Sequence, residues 1–116
     1  RQKKEEYFQK LVKTFENFAK ISENWVIEWG GIEIEYYEFL LDAIYSASFK
    51  VKDVLINSPE PPHRARTVLH NKIYTTHSLA FVCIPSGTNT GLTKDQALAM
   101  TREKLTKIIK VEQDVV

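Results

Sequence analysis

The apolar residues of this chain change period along its length, helical at both ends and strand-like between, and that change restricts the fold more than any single motif. From Gln2 to Ile21, Phe8, Leu11, Val12, Phe15, Phe18 and Ala19 recur at helical spacing, with Lys10, Lys13, Glu16 and Lys20 between them. Near the other end Thr93 is followed three residues later by Gln96, the signature of a capping box, and Asp95 suits the positive end of a helix dipole. Leu98, Leu105, Ile108 and Ile109 then stripe a helix to about Glu112.

Between these helices the pattern shortens. Trp25 to Trp29 and Ile32 to Tyr36 read as two short strands joined at Gly30 and Gly31, because glycine supplies the positive φ that a tight hairpin needs. Ile32, Ile34 and Tyr36 alternate with Glu33 and Glu35, as on a half-buried strand whose acids face solvent. From Tyr37 to Asn57 two periods meet: Leu40, Leu41, Ile44 and Tyr45 fit a helix, whereas Ala47, Phe49 and Val51 alternate with Ser48, Lys50 and Lys52. That meeting predicts a helix passing into a strand near Ser48. Ser58 to Pro62 holds three prolines and predicts an exposed loop, since proline removes backbone donors and fixes φ.

Thr67 to Ile84 is rich in β-branched residues and predicts one long strand or a second hairpin, followed by a polar loop over Pro85 to Thr90. The order of elements predicts one α+β domain over residues 1–116, an antiparallel sheet flanked by an N-terminal and a C-terminal helix. A helical Thr67 to Ile84 would instead give the alternative, an all-α four-helix bundle. The histidines test that choice, because His63, His70 and His77 are seven residues apart. On a helix they would share a stripe, though at about 10.5 Å spacing no two could share one metal ion. On a strand His70 would face away from His77.

A chain of 116 residues can bury one core without a disulfide or a structural metal. Its 16 basic and 15 acidic residues leave a net charge of +1, so no global field steers it to nucleic acid or an anionic membrane. The single cysteine, Cys83, lies in an apolar run and fits a reducing, intracellular compartment, with the cytoplasm as the expectation. No apolar stretch approaches the ~20 residues that span a bilayer, and Arg1 to Glu6 reads as the start of a charged helix rather than a signal peptide.

Candidate sites are few. His63, Arg64, Arg66, His70 and Lys72 form the one local basic cluster, suited to carboxylate or phosphate oxygens; lacking interleaved aromatics, it reads as a solvated loop end before it reads as an RNA contact. Glu28, Glu33, Glu35 and Glu38 gather near the glycine pair, where strand alternation accounts for Glu33 and Glu35. Ser86 to Gly91 lacks the Gly-Lys-Ser/Thr ending of a phosphate loop and reads as a polar turn. No serine lies in an elbow motif and Cys83 has no neighbouring positive charge, so no catalytic residue, cofactor or metal site is nominated.

The aromatics Trp25, Trp29, Tyr36, Tyr37 and Phe39 are more than one thin sheet easily hides, which nominates Trp25, Trp29, Tyr36 and Tyr37 as partner-binding residues. The expectation is therefore a non-catalytic protein-interaction or assembly module, its partner a protein or a second copy rather than nucleic acid or membrane. The alternative is a small-molecule-binding domain or small enzyme that uses one of the three histidines in a pocket between sheet and helices.

Overall fold

Alternate side chains of Trp25–Gly30 (β1) are half-buried and exposed, so Trp25, Ile27 and Trp29 point into the protein while Val26 and Glu28 point out. This strand belongs to a computed structural model that describes residues 2–57, 68–69, 72–73 and 77–115. The described elements are Gln2–Phe18 (α1), β1, Ile34–Ser46 (α2), Phe49–Asn57 (β2), Val68–Leu69 (β3), Lys72–Ile73 (β4), Ser78–Pro85 (β5) and Lys94–Val115 (α3). The class is α+β, with a three-stranded antiparallel sheet and helices at both ends, as the periodicity predicts. The four-helix alternative falls, because β5 is the central strand of that sheet.

Strand order is β1-β5-β2, with both outer strands antiparallel to β5. β1 and β2 therefore run parallel to each other with β5 between them, and α2 is the crossover of a split β-α-β unit. The register aligns Trp25, Ile27 and Trp29 with Cys83, Phe81 and Leu79. Val51, Val54 and Ile56 continue the same rows on β2. Val51 and Val54 are three residues apart and would face opposite ways on a regular strand. A bulge between Val51 and Asp53 absorbs the extra residue and returns Val54 to the inner face.

All three helices contribute to the core on that inner face. Phe15 of α1, Leu40, Leu41 and Ile44 of α2, Phe49, Val51, Leu79 and Phe81 of the sheet, and Ile108 of α3 are all buried. The capping box is formed as read: Gln96 N–H donates to Thr93 Oγ1 at 3.1 Å and Thr93 N–H donates to Gln96 Oε1 at 2.9 Å. The helix-to-strand change also falls where the periods meet, with Ser48 at φ 67° between α2 and β2.

One element differs from expectation. Ile32 to Tyr36 is not the second strand of a hairpin: Gly31 takes φ 108°, but the chain turns into α2 at Ile34. Tyr37, Leu40, Leu41 and Ile44 are the buried stripe of that helix, and a helical period over thirteen residues outweighs an alternation of five. Of the two readings of Thr67 to Ile84, the described residues carry the second, a hairpin. The last part of the tract is β5, and β3 and β4 pair as a short hairpin before it.

Candidate functional site

The aromatic residues nominated as a partner surface are mostly consumed by the core. Trp25 stacks on Phe15 with ring centroids 4.9 Å apart and meets Phe18 and Phe49 edge-on at 5.0 and 5.2 Å. Trp29 also packs against the core from the inner face of β1. Tyr37 is fully buried, so it offers a partner no surface. Its hydroxyl is shared between the carbonyls of Gly31 at 2.8 Å and Trp29 at 3.1 Å, and burial pushes its pKa up to about 12. Of the four, only Tyr36 is largely exposed, at 57 %.

His63, Arg64, Arg66 and His70 lie outside the described residues, as does the Ser58 to Pro62 loop; Lys72 is placed on β4. His77, by contrast, is 5 % exposed just before β5, a buried rather than a solvated histidine. Cys83 is buried on the inner face, and desolvation raises its thiol to about 12, which suits packing and not nucleophilic chemistry. Among the described residues no three histidine, cysteine or carboxylate side chains gather as a metal site. No described helix is long and apolar enough to cross a membrane.

The Ser86 to Gly91 turn has a structural use. Ser86 N–H donates to Ser48 O, and Leu92 N–H donates to Val51 O at 2.8 Å, so the segment lies along the outer edge of β2. Tyr45 completes this edge, its hydroxyl donating to Leu92 O at 2.7 Å and accepting from Val51 N–H at 3.1 Å. Burial raises the Tyr45 pKa, with the Val51 hydrogen bond acting in the opposite sense. The start of this edge, up to Val51, is closed with side chain and loop rather than another strand.

Among the described residues, two surfaces stand out for recognition. The first is the outer face of the sheet. Cross-strand pairing sets Val26 beside Val82 and Ala80 beside Leu55, with Val26 60 % and Leu55 48 % exposed. Asp53, exposed, pairs with Val82 on the β2 side of this apolar run, and further polar groups flank it. At one end Asn57 Nδ2 donates to Glu28 Oε2 at 3.3 Å beside Ser78, and at the other Lys50 pairs with Ile84. Neither tryptophan contributes to it, and the signal in the sequence was the complementary set of β1, Val26 and Glu28, read from the alternation of the strand.

The second surface is an open groove of about 480 Å³ between α1 and α2, floored by Phe8 and Phe39. Glu35, Glu38 and Asp42 line it from one stripe of α2 and Lys4 and Glu5 from α1; His77, the one histidine among the described residues, does not line it. Phe39 stacks on Tyr7 at 5.6 Å and takes Phe8 edge-on at 5.4 Å. A smaller cavity of about 150 Å³ adjoins it through Glu38 and Asp42 and reaches Leu98 and Lys94 of α3. Comparison of the chain with protein-family models, curated proteins and solved structures finds no match.

Proposed function

We propose that this domain is a non-catalytic assembly module that pairs with a second copy through the outer face of its sheet. The observation that supports this is the exposed apolar run of that face, Val26, Val82, Ala80 and Leu55, flanked by polar groups and bordered by Asp53 beside Val82. An interface core of this kind gains by being taken out of water, and a polar rim seals it. The self-pairing follows from charge. Glu28 and Lys50 sit at diagonally opposite corners of the face, with Val82 in the row between theirs. A two-fold axis in the interface and through Val82 brings Glu28 of each copy over Lys50 of the other, whose ammonium also donates to Thr88 O of its own chain. The valines pack centrally, and the exposed Asp53 beside each is a charge that the pairing has to keep in contact with water.

Sedimentation equilibrium over a concentration series tests the reading. The wild-type protein should associate to a dimer, and the double substitution Val26→Lys with Leu55→Lys should leave a monomer with an unchanged circular dichroism spectrum. Both positions are exposed, so their replacement leaves the core intact. A wild-type chain that stays monomeric at every loading, or a double variant that dimerises as well as wild type, overturns the proposal.

A further inference from the structure

The groove between α1 and α2 is a separate feature, on the helical layer and away from the outer sheet face. Its floor is aromatic, Phe8 and Phe39, and its walls are acidic: Glu5 on one side, Glu35 and Glu38 on the other, with Asp42 at the end. Glu35 lies in the first turn of α2 and suits the helix dipole. Glu38 and Asp42 lie beyond that turn and stand one helical turn apart on the same stripe, where like charges repel. Two cations belong to the groove and its extension. Lys94 is committed to Asp42 at 2.8 Å, which raises the lysine pKa through that hydrogen bond and charge. Lys4 holds its ammonium 6.0 Å from the centroid of Phe39, so the ring already faces a cation within the groove. Four carboxylates against two ammoniums leave the groove acidic.

We infer that this groove docks a basic, amphipathic peptide segment of a partner protein. Lysine or arginine stems lie along the Phe8 and Phe39 floor, and their charged ends reach Glu5, Glu35 and Glu38. An alkyl stem buries against the rings while its head stays among carboxylates, so both the aromatic floor and the acidic walls are used.

The probe is a fluorescein-labelled amphipathic helical peptide made of leucine and lysine, with a leucine and glutamate counterpart as control, read by fluorescence anisotropy. The lysine peptide should bind, the glutamate peptide should not, and added salt should weaken binding by screening. Glu35→Gln combined with Glu38→Gln should weaken it by about tenfold or more, a change in two exposed side chains that leaves the fold in place. Amide shifts on titration should centre on residues 35–42. Equal binding of the two peptides, no binding of the lysine peptide, undiminished affinity of the double variant, or shifts centred on Val26 and Leu55 would each overturn the inference. The last outcome would place the peptide on the sheet face instead, so this test fails independently of the dimer test.

Discussion

Tyr37 shows how a single side chain can be legible as a type and misread as a role. Its ring is apolar enough to anchor the core and its hydroxyl polar enough to need a partner, which is also the profile of an interface residue. The structure resolves this with the Gly31 and Trp29 carbonyls, which hold the turn from β1 into α2 against the helix that follows. Tyr37→Phe keeps the ring and removes that donor. It should lower unfolding free energy by about 1–2 kcal/mol, measured by urea denaturation, since a buried acceptor loses its partner; an unchanged midpoint would show that the hydroxyl does not hold the turn. Trp25 is the reverse case, with its ring among three phenylalanines and its indole N–H buried without an acceptor among the described residues. A packing gain of that size outweighs one missing hydrogen bond.

Helices α1 and α3 were readable because their signals are local. Thr93 and Gln96 satisfy each other's backbone donors within one turn, whatever the rest of the protein does. Thr93→Ala should therefore cost about 1 kcal/mol, and Thr93→Ser should retain most of the stability, both read from thermal unfolding; equal loss in both would mean the hydroxyl is not the cap. The start of α2 was not readable, because Ile32 to Tyr36 satisfies a strand period while Ile34, Tyr37, Leu41 and Ile44 satisfy a helical one. Which period wins depends on what the stripe packs against. The bulge in β2 is similar: the alternation of Phe49 and Val51 with Lys50 and Lys52 shows a strand but not where the register slips, since only pairing with β5 demands that Val54 face inward.

The core as a whole carries a titration that can be measured. Burial holds Cys83 at about 12 against an ordinary 9.0, and Tyr37 at about 12 against 10.0. Both raised values mean that the folded state keeps protons which the unfolded chain gives up at lower pH. The contribution of these two groups to stability should be fully present below about pH 9 and be lost as pH rises through the window from 9.0 to about 12. Denaturation midpoints across that window should decline, and Cys83→Ala should flatten the decline at its lower end; a level wild-type profile would contradict the burial of both groups. The sequence was sufficient for the class, the two terminal helices, the cap and the strand character of β1, since these rest on spacing and on bonds within a few residues. It was insufficient for the insertion of β5 between β1 and β2, for the loss of Trp25, Trp29 and Tyr37 to the core, and for the surfaces left over on Val26, Leu55 and the Phe8 to Phe39 groove. Those depend on which distant strands pair and which helix covers which face, and long-range packing sets them where no local pattern can.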